Sequence, residues 1–181
     1  MTNDQQSVLL AVGGGIAAYK SAILCSQLVQ SGYRVRVAMT ASANHFIGAD
    51  TLAALSGRPI VSHMFDSSFP LGAHIEVAAE ADLMIVVPTT ANLMAKFATG
   101  VADDLVSTLY LQASCPVLLA PAMSAAMWEK PSVQRNHQQL QQDGCHFVGP
   151  ESGWLSCRLA GEGRMSEPAA IHEAIESLLN G

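Results

Sequence analysis

Charged residues are scarce in this sequence, and basic residues are the scarcer kind. Only 13% of the 181 residues are charged, with 9 Lys and Arg against 15 Asp and Glu, and the formal net charge is −6. Lys and Arg form no cluster, so the sequence lacks the basic patch that follows a phosphate backbone or an anionic membrane surface. We therefore expect no nucleic acid and no membrane among the partners.

Cysteine is also sparse, and long apolar runs are absent. The four cysteines form no CxxC pair and no Cys/His spacing typical of zinc, so neither a disulfide scaffold nor a metal site is expected. The first residues, MTNDQQ, carry no positive charge, and no apolar run approaches the roughly 20 residues that cross a bilayer. These features predict a cytoplasmic location with reduced thiols.

Half of the residues are hydrophobic, which suffices for one core and a single domain over 1–181. Short apolar runs predict strands at 8–12, 34–39, 83–87, 117–120 and 145–148. Helical spacing between them predicts helices at 16–28, 46–55, 92–112 and 132–142, the last opening at Pro131. Strands that are apolar on both faces and alternate with helices are typical of a doubly wound parallel α/β sheet.

The turns after the first two strands are candidate ligand sites, because ligands of such sheets lie beyond the carboxyl ends of the strands. Residues 13–18, GGGIAA, fit a loose dinucleotide fingerprint that lets backbone N–H groups approach a phosphate, although a plain tight turn also favours glycine. Thr40 and Ser42 follow the second strand, where a dinucleotide site would place an acidic residue. These hydroxyls favour a mononucleotide, or Ser42 simply caps the next helix.

Two later turns offer hydroxyls and an apolar wall. Residues 88–92, PTTAN, either contact a ligand or cap a helix. Residues 121–128, PAMSAAMW, contain Met and Trp side chains, which usually pack in a core but also lie against flat rings when they follow a buried strand.

Five segments in this order resemble those of the flavin-dependent cysteine decarboxylases, most closely the members that act on phosphopantothenoylcysteine. The resemblance extends from about Val8 to Met165. The segments are GGIAAYK at 14–20, HI at 74–75, PTTANL at 88–93, PAMSAAMW at 121–128 and GWLSCRLAGEGRM at 153–165.

The resemblance implies FMN as cofactor, in a flavodoxin/Rossmann-like three-layer sandwich. It implies an FMN-dependent carboxy-lyase that converts phosphopantothenoylcysteine to phosphopantetheine in coenzyme A biosynthesis. In that family the flavin oxidises the cysteine side chain to a thioaldehyde, carbon dioxide leaves, and the enethiolate is then protonated and reduced. It also implies a homo-oligomer, a trimer or a dodecamer of trimers, with active sites between subunits. The residues implied in FMN binding are Gly14, Gly15, Ile16, Thr40, Ser42, Thr89, Thr90, Ala91, Asn92 and Ala122.

Catalytic roles fall, by the same resemblance, to His74 and Cys157. His74 would act as an acid/base on the substrate thiol, since an imidazole titrates near neutrality, whereas a lone His after a turn is usually a surface residue. Cys157 would donate the proton that allows reduction, from a glycine-rich substrate flap at about 151–166 that we expect to be a mobile loop. Cys25, on the apolar side of the first helix, is expected to be structural. The residues implied in substrate binding are Ser124, Met127, Arg164 and Met165.

The chain departs from the family pattern at several positions. Ser124 replaces an Asn that is associated with the substrate carboxylate, and a serine offers one donor on a shorter arm. Losing such a bond to a charged group costs about 1.5–3 kcal/mol. Leu93 replaces a Thr, and residues 76–82 lack the basic or Trp residue that relatives often carry.

Four alternative functions stay open beside this interpretation. A peptidyl-cysteine decarboxylase would stop at the enethiol, and a non-catalytic flavin-binding regulatory subunit would account for Ser124. A flavin prenyltransferase is disfavoured by Cys157 and Arg164, and an NAD-binding module by the lack of an acidic residue after the second strand.

Overall fold

A five-stranded sheet forms the centre of the computed structural model, which describes residues 5–181. Residues 1–4, at the start of the predicted domain 1–181 and of its MTNDQQ segment, lie outside the described residues. The strand order is β2-β1-β3-β4-β5 and every pair is parallel. The strands are β1 (Ser7–Val12), β2 (Arg34–Met39), β3 (Leu83–Thr89), β4 (Val117–Pro121) and β5 (His146–Phe147).

Helices cover both faces of this sheet. Alternate residues of β1 point into two separate cores, with Leu10 in one and Leu9 in the other. Helices α1 (Ala18–Gln30), α2 (Ala49–Ser56) and α8 (Pro168–Asn180) cover the first core. The second is covered by α3 (Ala73–Ala79), α4 (Ala91–Thr99), α5 (Leu105–Gln112) and α7 (Pro131–Gln142), and a short α6 (Ala125–Trp128) follows β4. The predicted doubly wound, three-layer α/β fold is confirmed.

The helix predicted over 92–112 is two helices. Gly100 ends α4 in the left-handed conformation, with φ of 70°, which breaks the helical path. Asp104 starts α5 through a capping box, in which its side chain accepts from the Ser107 N–H and Ser107 accepts from the Asp104 N–H. The apolar spacing runs through both helices, so periodicity alone did not reveal the break.

The segment predicted as a loop at about 151–166 is a β-hairpin. Strand β6 (Glu151–Trp154) pairs antiparallel with β7 (Ala160–Arg164), and Arg158 in the connecting turn has φ of 64°. Glycine-rich strands lack the apolar alternation that predicts a strand, which explains the difference. The strand predicted at 145–148 shortens to two residues, and the helix predicted from 46 begins at Ala49, after a 3₁₀ turn at Ala41–His45. Helices α3, α6 and α8 were not predicted.

Over residues 5–181, the structure contains no helix with the length and apolar character that a membrane span requires.

Candidate active site

A cavity of about 580 Å³ opens at the carboxyl ends of β1, β3 and β4, which is within the usual size range of ligand pockets. The turns after β1, β2, β3 and β4 all reach it, and the β6–β7 hairpin adds a further side. Among the residues predicted to bind FMN, those lining the cavity are Gly14, Gly15, Ile16, Ser42, Thr90, Ala91, Asn92 and Ala122. Among the others, those lining it are Ser124, Met127, Cys157, Arg164 and Met165.

The glycine turn after β1 brings the backbone close to neighbouring elements. A Cβ on Gly14 would lie 2.5 Å from the Cβ of Ser42, so only glycine lets these two turns approach so closely. Helix α1 follows with Ala17 as N-cap, and no side chain caps it. Of its first N–H groups, those of Ala18 and Lys20 donate to the Gly15 and Ala17 carbonyls at 2.9 and 3.0 Å. The positive end of the helix dipole still borders the cavity there, which favours an anion such as a phosphate.

Thr40 does not line the cavity, but it stabilises the turn that carries Ser42. Its hydroxyl caps the 3₁₀ turn by accepting from the Ala43 N–H at 3.2 Å, and it lies 3.3 Å from the Ser42 hydroxyl. The two predicted residues thus have different positions. Ser42 faces the cavity, and Thr40 holds the turn on which Ser42 sits.

Thr89 also lies outside the lining, although the sequence predicts it as an FMN contact. The side chain is fully buried between β3 and β4, where it donates to the Val86 carbonyl at 2.7 Å and accepts from the Ala120 N–H at 3.1 Å. The next residue, Thr90, lines the cavity and caps α4 by accepting from the Leu93 N–H at 3.3 Å. Leu93, which replaces a Thr of the family pattern, is buried in the core. The absence of the threonine hydroxyl at this position therefore does not change the cavity wall.

Ser124 is the N-cap of α6, yet its side chain makes no capping hydrogen bond within the described structure. Its hydroxyl is therefore free to serve a ligand. Met127, half-exposed, lies one turn further on the same wall, and Trp128 turns away into the core. The Met123 N–H just before Ser124 donates to the Gly163 carbonyl at 3.0 Å, which joins this wall to the hairpin.

Cys157 is exposed in the hairpin turn and lines the cavity, whereas Cys25 is fully buried in α1. Burial raises the pKa of the Cys25 thiol to about 11, so this cysteine is inert at neutral pH, and its predicted structural place agrees with the burial. Met165 is nearly buried and faces the cavity from the edge of the core.

His74 is not among the residues that line the cavity of one chain. It lies in the first turn of α3, next to Gly72, whose φ of 102° starts the helix. The imidazole Nδ1 is buried and has no hydrogen-bond partner in the described structure.

Sequence reasoning missed Lys20 as a cavity residue. It ends the GGIAAYK segment, and its ammonium group donates to the Met165 carbonyl at 3.2 Å and lies 2.9 Å from Glu167 Oε1. The available signal in the sequence was a lysine that follows the glycine turn closely, within a segment that resembles the family. Trp154 and Tyr19 also line the cavity and were not predicted as site residues.

Comparison with known proteins places this geometry in a family. The model of the flavoprotein family matches residues 1–180. The chain belongs to the flavoprotein family. This flavoprotein is 44% identical to the coenzyme A biosynthesis bifunctional protein CoaBC of Bacillus subtilis over 174 residues, which are 96% of this chain and 43% of that protein. It is 43% identical to CoaBC of Vibrio cholerae over 167 residues, 92% of this chain and 42% of that protein. The chain thus spans less than half the length of these relatives.

Solved structures give the same grouping. The FMN-dependent cysteine decarboxylase SpaF is 34% identical, with a TM-score of 0.84 over 97% of this chain and 96% of that one. A cysteine-to-serine variant of PPC decarboxylase, complexed with pantothenoylaminoethenethiol, is 26% identical, with a TM-score of 0.88 over 98% of this chain and 100% of that one. The resemblance to flavin-dependent cysteine decarboxylases that the five segments indicated is confirmed.

Proposed function

We propose that this flavoprotein binds FMN in the cavity and catalyses oxidative decarboxylation of phosphopantothenoylcysteine to phosphopantetheine, a step of coenzyme A biosynthesis. One observation carries the proposal: the uncapped start of α1 and the exposed thiol of Cys157 line the same cavity. The first is suited to a phosphate and the second to proton donation. A cavity that combines them supports a flavin redox reaction on a small thiol-containing acid.

The residues at the cavity fit FMN. The glycine turn and the positive end of α1 would face the phosphate, and the hydroxyls of Ser42 and Thr90 would supply further hydrogen bonds. Met127 offers a polarisable apolar surface for a ring system. Bound FMN would supply the two-electron chemistry that no side chain provides.

The polar side chains at the cavity that are not assigned to FMN are candidates for substrate binding. The free hydroxyl of Ser124 and the guanidinium of Arg164 are donors for a carboxylate or phosphate of the substrate. In this proposal the Cys157 thiol, which lines the cavity, gives its proton to the decarboxylated product before its reduction. Replacing Ser124 by a family-type Asn would add a second polar group for orientation.

His74 enters the site from a second copy of the chain in this proposal. Apolar side chains of α1 and of the turn before it are exposed, with Ile16 at 61%, Tyr19 at 55% and Ile23 at 45%. Leu71 and Ile75 beside His74 are exposed as well. Burying both patches between copies would bring His74 to a neighbour's cavity, as acid/base for the substrate thiol, in a trimer or an assembly of trimers. Light scattering should give a mass of three chains or a multiple of three, and a monomer would contradict this arrangement.

Product mass tests the reaction. The FMN-loaded protein is incubated with phosphopantothenoylcysteine and, separately, with a peptide that ends in cysteine. We expect the first substrate to lose carbon dioxide alone, because Cys157 permits the reduction. With the Cys157→Ser variant, the same substrate should lose carbon dioxide and two hydrogen atoms. The product released should then be the enethiol. Turnover of the peptide instead would identify a peptidyl-cysteine decarboxylase, and turnover of neither substrate would favour a non-catalytic flavin-binding subunit.

A cytoplasmic location and the lack of nucleic-acid or membrane partners stay predictions of the sequence.

A further inference from the structure

Glu167 lies between two cations at the edge of the cavity. Its Oε1 is 2.9 Å from Lys20 Nζ, and the same oxygen accepts a hydrogen bond from the Arg164 guanidinium. The hydrogen bond from Lys20 lowers the pKa of Glu167 most, and the hydrogen bond from Arg164 lowers it further by a smaller amount. The carboxylate therefore stays ionised well below neutral pH and holds both cations.

The three residues belong to elements that meet at the cavity. Lys20 is in the first turn of α1, Arg164 ends β7, and Glu167 is the N-cap of α8. The Arg164 side chain crosses to β6, where a Cβ on Gly153 would lie 2.9 Å from Arg164 Cδ. Glu167 thus links α1 to β7, and the Arg164 side chain extends this link to β6.

Among the described residues, the hairpin has further attachments beside Glu167. Lys20 also donates to the Met165 carbonyl, directly after β7, at 3.2 Å, and the Leu155 side chain is buried. The Gly163 carbonyl accepts from the Met123 N–H, and Gly161 packs closely on Ala125. Both of these contacts are made by β7 with the segment after β4. At the tip, the Leu155 and Arg158 N–H groups bond within the hairpin, and the neighbouring Trp154 is 69% exposed.

We propose that Glu167 is a positioning residue, which fixes the hairpin and therefore the Cys157 thiol relative to α1 and the cavity. The inference rests on the proposed function, because the position of Cys157 affects the reaction only if its proton is used. Within residues 5–181, the side-chain hydrogen bonds and ion pairs of Glu167 go to Lys20 and Arg164 and not to the Gly14 turn or Ser42, so flavin binding should depend on it little. Loss of this carboxylate should impair the Cys157-dependent reduction more than the release of carbon dioxide.

The test compares Glu167→Gln with Glu173→Gln in the FMN-loaded protein. Glu173 is an exposed carboxylate of the same helix, so its variant carries the same change in charge away from the hairpin. With phosphopantothenoylcysteine, Glu167→Gln should raise the ratio of oxidised to saturated product about tenfold, since it loses charge-assisted hydrogen bonds. Glu167→Asp keeps the charge on a shorter side chain, so its product ratio should lie between that of Glu167→Gln and that of the unchanged protein. Glu173→Gln should match the unchanged protein.

Hydrogen exchange of the amides in 151–164 gives a second readout that does not need turnover. These amides should exchange faster in Glu167→Gln than in Glu173→Gln, while those of the central sheet stay unchanged. A parallel fall of both products with an unchanged ratio, or unchanged exchange in the hairpin, would overturn the positioning role. If the unchanged protein forms neither product, the proposed function fails, and hydrogen exchange alone decides whether Glu167 fixes the hairpin.

Discussion

Replacing Thr89 by valine tests whether this residue supports the sheet or contacts FMN. Valine keeps the shape of threonine but removes the hydroxyl that bridges the Val86 carbonyl and the Ala120 N–H. Thr89 is fully buried, so water cannot replace the lost partner of the Ala120 N–H. An unsatisfied buried donor costs about 1–3 kcal/mol of the free energy of unfolding. For a domain of this size, that corresponds to a fall in Tm of about 2–12 °C.

The assay is thermal unfolding of Thr89→Val beside Thr99→Val, together with a flavin titration. Thr99 is an exposed helical threonine whose hydroxyl donates to the Ala95 carbonyl at 2.7 Å, so its loss should cost about 0.5 kcal/mol or less. FMN affinity should stay within about twofold in both variants, because neither hydroxyl lines the cavity. Equal Tm values for the two variants, with FMN binding lost in Thr89→Val, would refute the structural role and restore the sequence prediction.

Three further predictions concern the cavity. Gly14→Ala places a Cβ 2.5 Å from that of Ser42. Such overpacking costs about 1–3 kcal/mol, so FMN affinity by fluorescence titration should fall about tenfold, and unchanged affinity would contradict the phosphate turn. Ser124→Asn should raise kcat/KM for phosphopantothenoylcysteine about tenfold by steady-state assay, and no gain would indicate another substrate. Iodoacetamide should label Cys157 well before Cys25, whose pKa is raised to about 11, and equal rates in a peptide mass map would contradict the burial.

The sheet was predictable because its strands are apolar on both faces. The run at 83–87 has no polar residue to mark an exposed side, which is typical of a parallel strand covered by helices. The break at Gly100 was not predictable from apolar spacing, since that spacing continues into α5. The hairpin strands, by contrast, are rich in glycine and polar residues and are held by pairing to each other rather than by a core.

The candidate site was predictable at the level of turns, and less so at the level of single side chains. Four turns were assigned to one cavity, because the carboxyl ends of parallel strands meet at one edge. Which of two neighbouring threonines faces that edge depends on where β3 ends, and the register of β3 against β4 shifts between Val86 and Thr89. Lys20 and Glu167 are far apart in sequence, so their pairing required the packing of α8 against α1.

In the proposed reaction, electrons pass from a cysteine-containing acid to FMN in this cavity. Flavin absorbance tests this transfer most directly, after FMN-loaded Cys157→Ser protein is mixed with phosphopantothenoylcysteine without oxygen. We expect the visible band to bleach and to stay bleached, because the variant lacks the thiol proton needed to return the electrons to the product. A band that keeps its full intensity after mixing would rule out electron transfer from the substrate to FMN.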